Sequence, residues 1–374
     1  MDSIKDAGDI SGKKILVRVD FNVPVENGVV VDAYRIEKSL ETIYFLRDYG
    51  AKVILVSHRG GSDVPTLAPV AEYLQQYFPV TFVHDVADGE ARRAVDALSG
   101  GDVVLLENLR QHPGEEKNDS TFAQSLASFA DIYVNEAFSA SHREHASIVG
   151  VPNYLPSYMG FQFALEVATL SKVLTPTHPF LFILGGAKFA TKLPLIAKYL
   201  VSADAVFLGG ATVNNFYKER GTPIGKSLYD QGDFGIKEML TNPKLILPET
   251  VVVENGEGAQ TTKKVSEINT DDVIVDIAPE ALDILSQKIK DASLIVWNGP
   301  LGRTGNEQGS KYLIELMRSA KGTTIIGGGD TATVLNSVSG APEFSFVSTG
   351  GGATLDFLAQ GTLPGIEALK KAVR

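Results

Sequence analysis

Short runs rich in β-branched residues alternate with stretches of helical spacing along this 374-residue sequence, and this alternation restricts the fold more than any other feature. Such runs occupy residues 14–19, 52–57, 80–84, 102–107 and 131–135 in the first half and 179–184, 204–208, 244–248, 293–298, 323–326 and 344–348 in the second. Strands that alternate with helices form parallel sheets covered on both faces. A chain of this length also exceeds what one hydrophobic core usually serves. The sequence therefore predicts an α/β fold with two doubly wound parallel-sheet domains.

A segment with prolines near both ends separates the two halves. Within it Phe161, Leu165, Ala168 and Val173 follow helical spacing, which predicts a connecting helix over 160–174 that acts as a hinge. An ordinary core helix of the second domain is an equally good interpretation. The predicted domains are 1–156 and 157–361, with the connecting helix in the second.

The composition excludes several kinds of chemistry. The sequence contains no cysteine, so disulfides, thiolate zinc sites and cysteine nucleophiles are excluded. A formal net charge of -11 disfavours general binding to nucleic acid or to anionic membranes. The N-terminal segment is acidic and polar, and no apolar run has the length needed to span a bilayer, which indicates a cytoplasmic protein.

Glycine-rich segments follow several predicted strands of the second half. Gly327, Gly329 and Ala332 fit the dinucleotide fingerprint G-x-G-x-x-G/A, but a glycine turn that packs a strand against its helix explains one such match equally well. Related segments lie at 184–188, 208–212, 297–302 and 348–354. The carboxyl ends of parallel strands meet at one sheet edge, where helix N-termini present N–H groups to phosphates. The cluster predicts a phosphate-bearing ligand.

Basic side chains follow four of the predicted strands of the first half, and Arg35 lies where the first predicted helix begins. One arginine at such a position is normally solvated surface. A set of them at one sheet edge of an acidic chain forms a pocket that binds a small polyanion. The polar and basic residues concerned are Arg18, Asp20, Asn22, Arg35, His58, Arg59, Arg110, His142, Arg143 and His145.

An anion site in each domain favours phosphoryl transfer over hydride transfer. A dinucleotide fingerprint should begin its domain and be followed by a ribose-binding acid about 20 residues later. Here the fingerprint lies near the C-terminal end of the sequence, and the next acidic residue after it, Glu343, comes too early. A dinucleotide-dependent oxidoreductase is the alternative from another class.

Long motifs occur in order over nearly the whole chain and read "VRVDFNVP", "LLENLRQHPGEE", "YVNEAFSASHREHAS", "LGGAKFATK", "WNGPLG", "GGGDTAT" and "STGGGATL". In order and approximate spacing they resemble the motifs of the phosphoglycerate kinase family. The resemblance implies reversible phosphoryl transfer between 1,3-bisphosphoglycerate and ADP, giving 3-phosphoglycerate and ATP with Mg²⁺. It also implies a monomer whose domains close about a hinge, and a tail over 362–374 that packs on the first domain.

The resemblance assigns site residues by their position in the matching motifs. The triose-phosphate substrate would contact Asp20, Phe21, Asn22, Arg35, His58, Arg59, Arg110 and Arg143. The nucleotide would contact Gly186, Lys192, Gly210, Asn298, Pro300, Glu307, Gly328, Gly329, Asp330 and Thr331, with Asp330 as the magnesium ligand. The transferred group would be stabilised by Arg35, Lys188, Gly328 and Gly351, with further backbone N–H groups from Gly329 and Gly350.

Two motifs of the first half depart from the family pattern. The family usually reads S-H-L-G-R-P where this chain reads "SHRGGS", so Gly61 stands at the arginine position and Arg59 lies two residues earlier. Either Arg59 substitutes from that position or one substrate contact is missing. Glu136 and Ser139 stand where the family usually has Asp and Gly.

Two further departures concern the nucleotide. Ala211 replaces a third glycine, which could narrow the adenine pocket, and the expected ribose-binding glutamate is displaced to Glu307. These changes leave the preference for ATP or GTP open. They also leave open the interpretation that this chain is a catalytically impaired relative that binds nucleotide without turnover.

Overall fold

The computed structural model describes residues 1–61, 65–340 and 342–373. The chain divides into two compact units, one over Met1–Ala168 and Thr362–Arg374 and the other over Thr169–Gly361. The boundary falls inside a helix instead of at residues 156 and 157, because the first turns of that helix belong to the first unit. Phe163 in these turns is fully buried, and Phe161 packs against the hydrophobic core of the first unit.

The first unit contains a parallel sheet and a short antiparallel hairpin. Its strands, in the described part of the chain, are β1 (Lys14–Arg18), β2 (Val25–Glu26), β3 (Val29–Val30), β4 (Lys52–Val56), β5 (Thr81–Val83), β6 (Val103–Leu106), β7 (Ile132–Asn135) and β8 (Ser157–Met159). β2 and β3 form the hairpin, and the parallel sheet has the order β5-β6-β4-β1-β7-β8. The α-helices before the unit boundary are α1 (Tyr34–Asp48), α2 (Ala68–Leu74), α3 (Gly89–Asp96) and α4 (Ser120–Ala127). Nearly every residue of β1, β4, β6 and β7 is buried, as expected for strands covered on both faces.

The order of the strands brings the polar residues of the first unit to one edge. β1 lies between β4 and β7 and pairs in parallel with both. The chain therefore leaves β1 toward one side of the sheet and returns later on the other side. Connections that diverge in this way open a crevice at the carboxyl ends of the strands, where ligands of such sheets bind.

The helix that crosses the unit boundary, α5 (Phe161–Leu174), begins on a buried carboxylate. Glu136 follows β7, is 4% exposed, and accepts hydrogen bonds from Thr42 Oγ1 at 2.6 Å and from the backbone N–H groups of Gln162 and Phe163 at 3.1 and 3.0 Å. Burial raises the pKa of Glu136 to about 7, and the three donors oppose that rise. The predicted helix over 160–174 is thus present, with its first N–H groups bonded to a side chain of the first unit.

The second unit repeats the parallel arrangement and adds an antiparallel sheet. Its described helices are α6 (Phe189–Ser202), α7 (Thr212–Glu219), α8 (Ser286–Asp291), α9 (Gln308–Met317), α10 (Gly329–Asn336) and α11 (Gly352–Gln360). Its described strands are β9 (Phe180–Leu184), β10 (Ala205–Leu208), β11 (Leu245–Ile246), β12 (Thr250–Glu254), β13 (Gln260–Lys264), β14 (Val273–Ile277), β15 (Leu294–Asn298), β16 (Thr323–Gly327) and β17 (Phe346–Val347). The parallel sheet has the order β11-β10-β9-β15-β16-β17, and the antiparallel sheet has the order β13-β12-β14. The switch point of the parallel sheet lies between β9 and β15, so the glycine segments after its strands meet at one edge.

A last helix, α12 (Pro364–Lys371), belongs to the first unit although it follows the second in sequence. Ile366 and Leu369 are buried, and the N–H group of Gly365 donates to the carbonyl of Ser141 at 2.9 Å. A Cβ at Gly365 would lie 2.7 Å from the Cβ of Ser141, so this contact requires glycine.

The two parallel sheets confirm the predicted α/β fold class. Every strand predicted in the sequence occurs, within two residues at its ends, among the described residues. None of the helices in that part of the chain combines the length and apolar character needed to cross a bilayer.

Candidate active-site residues in each unit

The last residue of β1, Arg18, is a fully buried cation at the sheet edge of the first unit. Its Nε donates to Ser147 Oγ at 2.8 Å, and its Nη1 donates to the carbonyl of Val19 at 2.5 Å. Burial lowers the pKa of Arg18, and the carboxylate of Glu115 is the largest opposing influence. Arg18 is therefore not the solvated surface residue that a single arginine would normally be.

His58, which follows β4, lies between two guanidinium groups. Its Nδ1 is 3.0 Å from Arg18 Nη2, and its Nε2 is 3.1 Å from Arg143 Nη1. Burial, and then the positive charges of Arg18, Arg110 and Arg143, hold the pKa of His58 well below its usual value of 6.5. The imidazole is consequently neutral at physiological pH.

A second group of polar contacts holds Arg35 at the same edge. Arg35 Nη1 lies 3.1 Å from Asp20 Oδ2 and donates to the carbonyl of Asn22 at 3.2 Å. Asp20 Oδ2 also accepts a short hydrogen bond from Ser139 Oγ. Asp20, Asn22 and Arg35 thus form one connected cluster.

Arg110 connects the two groups. The N–H group of Gly60 donates to Asn22 Oδ1 at 2.9 Å, and a Cβ at Gly60 would lie 3.2 Å from Arg110 Nη1. Arg110 Nε lies 3.0 Å from Glu116 Oε1, whose side chain is well exposed. Burial, and then the charges of Arg110 and Arg18, lower the pKa of Arg143. The geometry therefore gathers an excess of positive charge that suits a small polyanion.

Two residues predicted to bind substrate have other contacts. The guanidinium of Arg59 donates to the carbonyls of Val23 at 3.4 Å and Thr66 at 3.3 Å, so it bridges two loops. The side chain of Phe21 is fully buried in the hydrophobic core, and its N–H group donates to Ser57 Oγ at 2.9 Å. A ligand contact by Phe21 would have to come from its backbone.

In the second unit, two lysines and several glycines line a cavity of about 460 Å³ at the sheet edge. Lys192, on α6, is 7% exposed, and its Nζ donates to the carbonyls of Gly185 and Ala187 at 2.7 and 2.6 Å. Burial lowers the pKa of Lys192 to about 8, while the charge of Asp330 opposes this and that of Lys188 adds to it. Lys188 precedes α6 with φ at 61°, a left-handed conformation that is costly for a residue with a side chain.

The same cavity is lined by the N-termini of two helices. Gly328 has φ at 97° and precedes α10, and Gly351 has φ at 53° and precedes α11. Gly329, Asp330 and Thr331 in the first turn of α10 also line the cavity. Two helix N-termini facing one space form a site for phosphate oxygens.

One amide in this cavity is a buried donor without an acceptor. Asn298, at the end of β15, is 3% exposed, and its Nδ2 has no hydrogen-bond partner among the described residues. Thr331 Oγ1 accepts from the N–H group of Gly299 at 2.9 Å, which fixes the loop after Asn298. Leaving a buried donor unpaired is costly, so this amide is suited to donate to a ligand oxygen.

The N–H group of Gly350, predicted to face the transferred group, donates to Ser348 Oγ at 3.0 Å instead. Of the glycines after β17, Gly351 lines the cavity and Gly350 is not among its lining residues.

A second cavity of about 380 Å³ adjoins the first and shares Gly186, Pro300 and Asp330 with it. Ala211 and Asn214 also line it. Gly210 and Asp276 are also among its lining residues. Burial raises the pKa of Asp276 to about 6.

Glu307, predicted to bind a ribose, is not among the residues that line this cavity. Its carboxylate accepts from the N–H group of Gly305 at 2.8 Å, and Lys311 Nζ lies 4.0 Å from it. Ribose binding by Glu307 therefore stays a prediction that its present contacts do not favour.

Sequence reasoning missed Glu115 and Ser147, which support Arg18, and Asn214, which lines the second cavity. Glu115 and Ser147 lie inside the motifs "PGEE" and "EHAS", but nothing in those letters shows that they meet. Asn214 lies in "ATVNNF", one position after the apolar Val213 on a helix. Apart from its polar side chain, nothing in the sequence indicates that Asn214 lines a cavity.

An α/β unit with a cluster of guanidinium groups and an α/β unit with a glycine-lined cavity at helix N-termini fit a kinase for a small phosphorylated molecule. The matched sequences give the particular family. A profile described as phosphoglycerate kinase matches residues 4–361, and the chain belongs to this family of phosphotransferases, whose acceptor is a carboxyl group. The kinase interpretation is confirmed, and the dinucleotide-dependent oxidoreductase is not favoured.

Individual phosphoglycerate kinases are similar to this chain over almost its full length. The phosphoglycerate kinase of Pseudothermotoga lettingae is 41% identical, and that of Caulobacter vibrioides is 40% identical, each with 98% of both chains covered. The solved structure of phosphoglycerate kinase from Coxiella burnetii has a TM-score of 0.83 at 31% identity. That from Pyrococcus horikoshii OT3 has a TM-score of 0.89 at 27% identity, and both cover 99% of this chain and 98% of their own.

Proposed function

We propose that this chain catalyses reversible phosphoryl transfer between 1,3-bisphosphoglycerate and ADP, giving 3-phosphoglycerate and ATP. The observation that carries the proposal is that each unit has its own anion site at the carboxyl edge of its parallel sheet. Guanidinium groups around His58 supply the first site, and Lys192, Asn298 and helix N-termini supply the second. A kinase that acts on a small phosphorylated acid needs one site of each kind.

The first unit would hold the phosphoglycerate. Arg110, Arg143 and neutral His58 offer hydrogen bonds to its phosphate and carboxylate oxygens, and Asp20 and Asn22 fix Arg35 beside them. Because guanidinium groups donate in pairs, they orient a planar or tetrahedral anion as well as neutralise it.

In the proposed reaction the phosphoryl group passes directly between the two substrates, and no protein side chain forms a covalent bond to it. A carboxylate oxygen of 3-phosphoglycerate forms a bond to the γ-phosphorus of ATP while the bond from that phosphorus to the β–γ bridging oxygen breaks. Both oxygens are anionic when free, so no side chain has to remove a proton. Arg35, Lys188 and the N–H groups at Gly328 and Gly351 would neutralise the charge on the transferred group and align it.

The donor set of the second unit fits Mg²⁺ bound with a nucleotide. Asp330 supplies one carboxylate in the cavity that also contains Lys192 and Asn298. No group of three or more His, Cys, Asp or Glu side chains suited to a metal occurs in the described ranges, so a metal would take its other oxygens from nucleotide phosphates and water. When bound, Mg²⁺ would screen the phosphate charges. Asp330 is the residue that would hold it.

The second cavity would take the base and ribose of the nucleotide. It adjoins the phosphate cavity through Gly186 and Pro300, and the apolar side chains of Leu228 and Leu301 line it with Ala211. We also propose that the chain works as a monomer, as the resemblance to its family implies. Size-exclusion chromatography with light scattering tests that point.

A coupled assay with 3-phosphoglycerate and Mg·ATP tests the function directly. We expect turnover that requires both substrates, and we expect Lys188→Ala to abolish most of it while Lys237→Ala, which removes an exposed lysine, does not. Zero turnover despite tight ATP binding would indicate an impaired relative. NAD⁺ binding would favour the oxidoreductase, and the buried Trp297 reports it, since its Nε1 donates to the carbonyl of Gly299 at the cavity wall.

A further inference from the structure

The two contacts of His58 cannot both be hydrogen bonds. A neutral imidazole has one nitrogen that donates and one that accepts, and a guanidinium has donors alone. His58 nevertheless has Arg18 Nη2 at 3.0 Å from Nδ1 and Arg143 Nη1 at 3.1 Å from Nε2. At one of the two nitrogens, an N–H group of the ring therefore faces an N–H group of an arginine.

Arg18 is the arginine that is fixed in place. It is fully buried, its Nε and Nη1 already donate to Ser147 and to the Val19 carbonyl, and its planar guanidinium leaves Nη2 no independent freedom. Arg143 is only half-buried. The acceptor nitrogen of His58 is consequently Nδ1, which faces Arg18, and the proton lies on Nε2.

The support of Arg18 extends to a buried carboxylate. Ser147 Oγ donates to Glu115 Oε1 at 2.6 Å, which leaves an oxygen lone pair for Arg18 Nε. Glu115 is fully buried and also accepts from the N–H group of Ser147 at 3.0 Å. A carboxylate accepts and does not donate, so Glu115 takes the Ser147 hydroxyl proton and Ser147 Oγ accepts from Arg18 Nε. The guanidinium held in this way has donors alone, so His58 Nδ1 is the acceptor.

We propose that Glu115, Ser147 and Arg18 are positioning residues that hold His58 in the tautomer with its proton on Nε2. In this tautomer, His58 Nε2–H and Arg143 Nη1–H face one another at 3.1 Å. Arg143 is only half-buried, so its side chain can turn aside and let a ligand oxygen accept from both groups. The low pKa of His58 keeps the ring neutral. His58 therefore orients a bound anion through one directed hydrogen bond, while the arginines supply the positive charge that neutralises the anion. That the ligand is phosphoglycerate rests on the proposed function; the tautomer does not.

Nitrogen NMR of the ¹⁵N-histidine-labelled protein tests the tautomer without substrate. His58→Gln identifies the His58 signals among the 6 histidines. We expect an unprotonated Nδ1 and a protonated Nε2 at pH 7. A proton on Nδ1, or a ring protonated at both nitrogens, overturns the proposal whether or not the protein is active.

Ser147→Ala tests whether Glu115, Ser147 and Arg18 position His58. Loss of the acceptor for Arg18 Nε should give a mixture of His58 tautomers and raise the KM for 3-phosphoglycerate about tenfold, as expected for one charge-assisted hydrogen bond. We expect kcat and the KM for ATP to change less than about twofold on the same reasoning. Ser147→Thr, which keeps the hydroxyl, should restore both readouts.

The matched control is Ser39→Ala, because Ser39 is also buried and its hydroxyl donates to the Arg35 carbonyl within α1. An unchanged tautomer and an unchanged KM in Ser147→Ala overturn the proposal. If that variant does not fold, Glu115→Gln takes its place with the same NMR readout and the same two outcomes. If the wild-type protein shows no turnover, the proposed function fails and the NMR result still decides the tautomer.

Discussion

Replacing Glu136 by Gln should remove the contribution of one buried carboxylate to the pH dependence of this protein's stability between pH 5 and 8. Burial raises the pKa of Glu136 from its usual 4.5 to about 7 in the folded chain. Between those pH values the folded state retains a proton that the unfolded state has lost, so the free energy of unfolding falls as the pH rises. At about 1.4 kcal/mol per pH unit, Glu136 alone lowers the free energy of unfolding by about 3 kcal/mol between pH 5 and pH 8.

The geometry around Glu136 makes the substitution costly at every pH. Gln162 N–H bonds to Oε1 and Phe163 N–H bonds to Oε2, so the amide oxygen of Gln replaces only one of the two acceptors and its NH₂ group faces the other N–H group. This loss does not depend on pH. An uncharged side chain at this position has no proton to lose, so the start of α5 should be equally stable at pH 5 and pH 8.

Urea denaturation at pH 5, 6, 7 and 8, followed by circular dichroism, measures the effect. We expect the free energy of unfolding of Glu136→Gln to fall by about 3 kcal/mol less than that of the wild type across the window. Glu41→Gln is the control, because it removes an exposed carboxylate near Glu136. Equal pH dependence in the wild type and in Glu136→Gln would refute the argument.

Three further substitutions test the second unit. Lys188→Ala should lower kcat by about 10² to 10³ with a smaller effect on either KM, because its charge acts on the transferred group, and an unchanged kcat would exclude that role. Gly210→Ala would place a Cβ 2.4 Å from the backbone nitrogen of Gly186 and force a residue with φ at 60°, so thermal unfolding should show a loss of about 1–3 kcal/mol and calorimetry a weaker ATP affinity. Asn298→Asp replaces a buried donor with an anion and should weaken ATP binding by about tenfold or more, whereas wild-type affinity would show that no phosphate oxygen approaches this amide.

The central strands were predictable from sequence because parallel strands buried on both faces read as unbroken apolar runs. β8 was missed because it has three half-buried residues at the edge of its sheet. The antiparallel sheet of β12, β13 and β14 was missed for a related reason. β12 buries alternate residues, but the half-buried Val252 stands between the buried Val251 and Val253, so the sequence shows no alternation of apolar and polar residues.

The site was predictable in its residue types and not in its connections. The arginines and His58 follow strands, so topology alone brings them to one edge. Arg18, by contrast, is held by Ser147, 129 positions later in the chain, and no local pattern reports a contact at that separation. The same holds for Arg59, whose hydrogen bonds to loop carbonyls depend on how two loops fold.

The position of α12 has a consequence for biosynthesis. This helix packs against residues 146–150, the segment that carries Ser147, yet the ribosome delivers it only after all of the second unit. A nascent chain can therefore finish its second unit while the first unit still exposes the apolar surface that Ile366 and Leu369 will cover. Translation pauses or premature stops before residue 364 would leave an apolar patch for chaperones to occupy.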